Sequence, residues 1–351
     1  MDFLGHKESK LIAGVAILLM MFHHIFGFPE YRINGNDYIV SFSIYGISFE
    51  RMIAAFGKIC VALFAFSSGY VIWKKSGDYL SLRVTFNRVI RFLINYWIIF
   101  ALFIFYGLCV GDSLPSGRNF WYNLVGLETA PQKQYVNVVF AWYVATYVVL
   151  VFLSPILINI FRGKIFVVDI VLYICFILGL SLIYNSLWGY ILSPVLYAIC
   201  GLLVAKWNLF NRILPRTDKL SIWIFVLVIV VLALFRQSLI LLDVNIVGVD
   251  GIFAAIFIFA VINIFNRLRC EWLNKIIIFL GFYSMNLWYL HGIFFTGSRP
   301  LQDVLYYPKY PILIFILCIA IVLPIAMGCD FIQRKFYSGF SALCCKILKR
   351  K

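Results

Sequence analysis

Long runs of apolar residues follow one another along this sequence, and they are the feature that most constrains its fold. A helix that crosses the hydrocarbon core of a bilayer needs about 20 apolar residues, with a range of roughly 17 to 25. The composition agrees with such a setting, because 64% of the 351 residues are hydrophobic and only 13% are charged. An ordinary soluble domain is therefore excluded, and the bilayer is the expected solvent.

Ten runs are long enough to be candidate spans. They lie at 11–28, 54–73, 89–110, 136–161, 165–184, 188–205, 220–236, 250–266, 275–295 and 311–332. The longest stretches between them are about 25 residues, at 29–53 and 111–135, and are suited to loops rather than to an independent core. The sequence thus predicts an all-α integral membrane protein with about ten transmembrane helices, forming a single domain over 1–351.

The basic residues indicate which way the chain crosses the membrane. If the N-terminus is cytoplasmic, the segments facing the cytoplasm hold 22 of the 30 Lys and Arg residues, and the outer segments hold eight, Arg236 among them. This asymmetry is the positive-inside pattern, and it predicts that both termini are cytoplasmic. It also accounts for the net charge of +15 without nucleic acid. The nine cysteines show no paired spacing, so neither a disulfide framework nor a metal site is predicted.

Two histidines are predicted at similar depths in the bilayer. His24 lies 14 residues beyond Lys10, which corresponds to roughly 21 Å along a helix. His291 lies 16 residues beyond Lys275 on a span predicted to run the same way. Ionisable groups at such depths usually face the bundle interior or a wet cavity and mark a functional path.

The histidines also have a purely structural interpretation, in which neutral imidazoles tie helices together through hydrogen bonds. His23 is a further catalytic candidate, but it points about 100° away from His24, so the two cannot fill one role on one helix face. A bis-histidine haem site is disfavoured, because only one suitable pair could be built.

A basic segment, SLRVTFNRVIRFLINYW, begins the third run. Arg88 and Arg91 are three residues apart and share a helix face, and Arg83 precedes them. Guanidinium groups bind phosphate through paired hydrogen bonds of fixed geometry. The positive-inside rule alone also predicts basic residues here. It fits Arg91 less well, because FLINYWIIF follows that residue directly.

Several segments, in order, resemble the acyltransferase 3 family of integral membrane acyltransferases. The first span resembles the family's span that ends in a catalytic histidine, matched here by His24. The last segment carries a Tyr-Leu-x-His element, matched by Tyr289, Leu290 and His291. The matching segments are GVAILLMMFHH, GKICVALFAFSSGYVIWKK, FNRVIRFLINYW, WYVATYVVLVFLSP, YAICGLLVAKW and GFYSMNLWYLHGIFF.

Two positions depart from the family pattern. Ala13 stands where an arginine commonly precedes the glycine of the first span, and Lys10, one turn earlier on nearly the same face, is the candidate substitute. Asn95 stands in the third span where proline is usual.

The resemblance implies transfer of an acyl group, usually acetyl, from cytoplasmic acyl-CoA to a hydroxyl of a surface polysaccharide or lipid-linked glycan. It implies phosphate binding by Arg88, Arg91, Arg83 and Lys10, with no permanently bound cofactor. His24 would act as general base or as an acylated relay. His291, with Ser284 and Asn286, would orient the base or stabilise an oxyanion, although packing roles are equally open. The family's usual setting is a bacterial cell membrane, in contact with its lipids.

Two other classes of protein remain open from the sequence. A glycan or lipid transporter would have the same inner charges and polar midplane site, but would move its substrate without consuming acyl-CoA. A structural subunit of a polysaccharide-export assembly would keep its function when His24 is replaced. The sequence carries no signal for the oligomeric state.

Overall fold

The computed structural model describes residues 2–33, 37–44, 46–111, 117–126, 142–183, 186–242, 248–268, 270–294 and 299–348. Of the described residues, 82% are helical, and there is nearly no sheet. In the described part, strand pairing is confined to a hairpin of β1 (Ser43–Ile44) and β2 (Ile47–Ser48), antiparallel with Ser43 opposite Ser48. The prediction of an all-α membrane protein is confirmed.

The helices follow one another along the chain with short connections. They are α1 (His6–Gly27), α2 (Phe49–Gly57), α3 (Cys60–Lys74), α4 (Ser76–Tyr79), α5 (Leu82–Cys109), α6 (Gly117–Leu124), α7 (Trp142–Ile160), α8 (Phe166–Ser181), α9 (Leu187–Lys206), α10 (Leu209–Thr217), α11 (Ile222–Leu241), α12 (Asp250–Arg267), α13 (Glu271–Phe282), α14 (Ser284–His291), α15 (Arg299–Tyr306) and α16 (Pro311–Leu348).

Every predicted apolar run overlaps a helix, but not every helix is long enough to cross a membrane alone. Seven helical segments among the described residues are, and an eighth follows if α9 and α10, bent by 67°, form one span. Helix α8 is shorter, with 16 residues. The count of ten spans and the cytoplasmic side of both termini therefore stay predictions. Most of the predicted outer stretch 111–135 lies outside the described residues.

Two predicted spans differ from the observed helices in ways that affect the site. The run at 275–295 is broken at Tyr283, between α13 and α14. The depth expected for His291 assumed one straight helix, so it does not follow from this geometry. The run at 220–236 continues as α11 to Leu241, so Arg236 is not a loop residue. It is buried inside the protein.

The chain forms two compact units. The first contains Met1–Phe28, Ser41–Val89 and Ala145–Phe282, and the second contains Pro29–Val40, Ile90–Val144 and Tyr283–Lys351. Helix α5 begins in the first unit and continues into the second. The prediction of a single domain over 1–351 stays a prediction.

In the first unit, helices cross at glycines that let their backbones touch. A Cβ atom added to Gly281 of α13 would lie 1.9 Å from the carbonyl oxygen of Lys10 in α1. One added to Gly69 of α3 would lie 1.8 Å from the carbonyl oxygen of Ala198 in α9. Small residues permit such close helix packing within a membrane, where lipid tails are as apolar as the side chains. These contacts fix α1 and α3 within the unit.

In the second unit, α14 and α15 pack against α16. Gln302 of α15 holds the chain that follows α1. Its Oε1 accepts the amide of Ile33 at 2.9 Å and its Nε2 donates to the carbonyl of Tyr31 at 2.8 Å. Buried polar groups need such partners.

Candidate active site

The histidine pair lies in the last turn of α1, in the first unit. His24 is buried and His23 is partly buried, and their ring centroids are 5.2 Å apart. Nδ1 of His23 lies 2.6 Å from the carbonyl oxygen of Ala54 in α2. Because a carbonyl oxygen can only accept a hydrogen bond, Nδ1 carries the proton. In neutral His23 the other ring nitrogen, Nε2, is then the basic one.

Close contact between α1 and α2 explains why the His23 ring reaches Ala54. A Cβ atom at Gly57 would lie 2.7 Å from the carbonyl oxygen of Leu19 and 3.1 Å from Cβ of His23. Gly57 thus allows α2 to lie directly on the turn of α1 that carries the histidines. The imidazole is therefore oriented by a main-chain group rather than by a side chain.

A buried ion pair joins three helices next to this contact. Arg236 of α11 donates from Nε and Nη2 to the two carboxylate oxygens of Asp250 in α12, at 2.8 and 2.9 Å. Its Nη1 donates to the carbonyl oxygen of Ala55 at 3.1 Å. The neighbouring carbonyls of Ala54 and Ala55 therefore accept from His23 and Arg236 respectively. This arrangement ties α2 to α11 and α12 beside the imidazole.

Arg236 and Asp250 were not singled out from the sequence. Both lie at the ends of apolar runs, where a charged residue is normally assigned to the adjoining loop. An arginine followed by an aspartate 14 residues later, across a short connection, was the signal available. It predicts a pair only when both residues are known to be inside the fold.

His291 lies at the end of α14, in the second unit, and is completely buried. Its Nδ1 donates to the carbonyl oxygen of Leu287, at 2.9 Å, one turn earlier in the same helix. Asn286 is also buried, and its side chain bonds to Gln333 and to the carbonyl of Ala326 in α16. The prediction that His291 and His24 lie at similar depths in the bilayer stays a prediction.

The predicted phosphate-binding arginines lie in the first three turns of α5. Arg88 stacks on the Tyr79 ring, with Cζ 3.8 Å from the centroid, and its Nη2 lies 3.4 Å from a carboxylate oxygen of Asp78. Burial raises the pKa of the Tyr79 phenol above its ordinary value, so this ring stays neutral. Arg91 lies over the Tyr337 ring, and Arg83 is exposed. The sequence did not single out Asp78, Tyr79 or Tyr337.

Lys10, the fourth predicted phosphate ligand, lies at the crossing of α1 and α13. Its Nζ is 5.1 Å from the centroid of the Phe282 ring. Its backbone is the one that contacts Gly281. The close packing of α1 on α13 within the first unit therefore fixes the position of the Lys10 backbone.

Among the residues that the structure describes, no group of three or more His, Cys, Asp or Glu side chains has the arrangement of a metal site. The chemistry available in the first unit is that of two adjacent imidazoles, one of them held by a carbonyl. A helical membrane protein with these groups belongs to the class of polytopic membrane proteins with a polar site between helices.

The family is shown by comparison with known protein families. The family model of acyltransferase 3, described as an acyltransferase domain, matches residues 10–330. The chain therefore belongs to the acyltransferase 3 family and is a multi-pass membrane acyltransferase. No curated protein and no solved structure matches the chain.

Proposed function

We propose that the protein transfers an acyl group, with acetyl as the first candidate, from acyl-CoA to a hydroxyl of an outward-facing or lipid-linked carbohydrate. The observation that carries the proposal is the hydrogen bond from His23 Nδ1 to the Ala54 carbonyl, beside the buried His24. In a membrane acyltransferase, two adjacent imidazoles, one of them with a fixed orientation, are the groups suited to proton transfer.

The donor would enter at the basic end of α5. Arg88, Arg91 and Arg83 lie there, and Lys10 is the fourth candidate. The aromatic surfaces under Arg88 and Arg91 restrict the guanidinium groups without neutralising them. Such groups lose less entropy when they bind phosphate oxygens. Membership of an acyltransferase family supports an acyl donor, and the four cations support an anionic one.

The hydroxyl oxygen of the carbohydrate would then attack the thioester carbonyl, while His24 takes up the proton of that hydroxyl. The carbon–sulfur bond breaks, and CoA leaves as the thiolate, which takes up a proton. In a relay, the ring nitrogen attacks first, and the acyl-imidazole later reacts with the hydroxyl. His23 acts in both schemes as the neighbour that fixes the local geometry.

The test is transfer of label from acetyl-CoA by the purified protein in lipid, with a glycan fraction as acceptor. His24→Ala is expected to abolish transfer, and His23→Ala is expected to reduce it. His6→Ala supplies a matched control, because His6 is an exposed histidine at the start of the same helix. Turnover that survives in His24→Ala would remove His24 from the chemistry.

The donor site is tested separately by binding. Arg88→Ala and Arg91→Ala are expected to weaken the affinity for CoA, whereas Arg162→Ala, an exposed arginine elsewhere, leaves it unchanged. If the affinity is the same in all variants, the phosphate role is wrong. Movement of a glycan or lipid across the bilayer without consumption of acyl-CoA would instead indicate a transporter.

A further inference from the structure

In the second unit, the side-chain amides of Asn286 in α14 and Gln333 in α16 bond to each other and to the backbone of Asn95 in α5. Asn286 and Gln333 exchange hydrogen bonds, Asn286 Nδ2 to Gln333 Oε1 at 3.2 Å and Gln333 Nε2 to Asn286 Oδ1 at 3.1 Å. Gln333 Nε2 also donates to the main-chain carbonyl of Asn95, at 3.2 Å. Asn95, Asn286 and Gln333 form the amide cluster, in which the side-chain polar atoms of Asn286 and Gln333 are all engaged.

The side-chain oxygen of Asn95 differs from these atoms. Oδ1 is buried and has no hydrogen-bond partner among the residues that the structure describes. A buried acceptor without a donor is rare in folded proteins. We therefore expect a hydrogen-bond donor from outside the described residues, and a water molecule or a ligand N–H is the candidate.

The amide cluster lies one helical turn from the arginine end of α5. Asn95 follows Arg91 by four residues, a rise of about 6 Å. Gln333 precedes Tyr337 by four residues on α16, and the Tyr337 hydroxyl donates to the Arg91 carbonyl. The two helices thus run side by side from an Arg91–Tyr337 contact to an Asn95–Gln333 contact.

This order matches the order of groups in CoA. The diphosphate is followed by the pantetheine arm, whose first amide nitrogen lies about six covalent bonds away, or roughly 7 Å when extended. A phosphate held at Arg91 would leave that amide near the level of Asn95. An acyl chain of a lipid, in contrast, brings no N–H donor to this level.

We propose that Asn95 Oδ1 accepts the hydrogen bond of a pantetheine amide N–H and so forms a subsite for the arm of the donor. This inference rests on the proposed function, because it assumes that acyl-CoA is the donor. Asn286 and Gln333 are positioning residues, since Gln333 holds the Asn95 backbone and Asn286 holds Gln333. The subsite selects donors that carry the arm over free nucleotides.

The experiment compares two ligands with the full-length protein in lipid nanodiscs, namely CoA and 3′,5′-ADP, which lacks the arm. Asn95→Leu is expected to weaken binding of CoA about tenfold, the effect of one lost hydrogen bond of ordinary strength, and to leave binding of 3′,5′-ADP unchanged. Arg91→Ala is expected to weaken both. Equal binding of both ligands by wild type and Asn95→Leu would overturn the subsite and indicate water at Oδ1.

A second comparison changes the ligand rather than the protein, so a folding defect in a variant cannot account for its result. The ligand is a CoA analogue with oxygen in place of the amide nitrogen nearest the diphosphate. Wild type should bind it about tenfold more weakly than CoA, and Asn95→Ala should not distinguish the two ligands. If wild type binds CoA and the analogue equally, the subsite is wrong, but the proposal that acyl-CoA is the acyl donor is unaffected. If wild type binds neither CoA nor 3′,5′-ADP and shows no transfer, the proposed function is wrong as well.

Discussion

Arg236 and Asp250 form a bidentate ion pair in which the two residues are only 1% and 5% exposed. The pair lies between α11 and α12 and reaches α2 through the Ala55 carbonyl. Its geometry satisfies both carboxylate oxygens and three guanidinium nitrogens. Burial of either charge alone would be costly, so the two residues depend on each other.

Removal of one member of this pair should destabilise the protein strongly. Arg236→Met leaves the carboxylate of Asp250 buried without a counter-charge, and we expect a loss of about 3–5 kcal/mol in the free energy of unfolding. The double variant Arg236→Met/Asp250→Leu should recover most of this loss. Thermal unfolding in detergent measures both. A single variant as stable as wild type would show that the pair does not hold these helices together.

The crossing of α1 and α13 should not tolerate a side chain at Gly281. Gly281→Ala places a methyl group 1.9 Å from the Lys10 carbonyl oxygen, so the helices must separate. We expect a destabilisation of about 1–3 kcal/mol, typical of overpacking. Gly179→Ala is the control, because a Cβ atom there meets nothing within 4 Å. Equal melting temperatures for the two variants would contradict this packing.

The orientation of His23 should depend on Gly57. A methyl group at Gly57 would press on the Leu19 carbonyl and on Cβ of His23, and so displace the imidazole pair. If the proposed function holds, Gly57→Ala lowers kcat on the order of ten- to a hundredfold and leaves KM for acyl-CoA unchanged. Gly163→Ala, which meets nothing within 4 Å, should match wild type. An unchanged kcat in folded Gly57→Ala would show that turnover does not depend on this position of the imidazole pair.

Asp78 should compete with an anionic ligand for Arg88. Their side chains are 3.4 Å apart and partly exposed, so the pair is weak and a phosphate could replace it. Asp78→Asn should increase the affinity for CoA about twofold to fivefold at low salt. The gain should vanish near 1 M salt, where the Debye length is about 3 Å.

Asp303→Asn is the matched control for this measurement, because Asp303 pairs with Arg299 four residues earlier in α15. It should leave the affinity for CoA unchanged at any salt concentration. A decrease in CoA affinity in Asp78→Asn would show that Asp78 supports the site rather than competes within it.

The sequence by itself determined the solvent, the class of fold and the family. Apolar runs of bilayer length can hardly form anything but membrane helices, and each predicted run overlaps a helix in the structure. The order of the motifs led to the acyltransferase 3 family, which the match over residues 10–330 confirms. These properties are encoded locally, in composition and in short segments.

Only the tertiary structure decided which groups surround the candidate site residues. The partner of His23 is a main-chain carbonyl 31 residues away. Every residue has such a carbonyl, so the sequence cannot indicate which one is the partner. Arg236 is buried because Asp250 neutralises it. The break at Tyr283, where the first unit ends and the second begins, interrupts a run that is continuous in the sequence. Likewise, Asn95 Oδ1 is buried without a partner among the described residues, whereas the side chains of Gln333 and Asn286 bond to each other. Such relationships join helices that are distant in the chain, and packing, not local propensity, sets them.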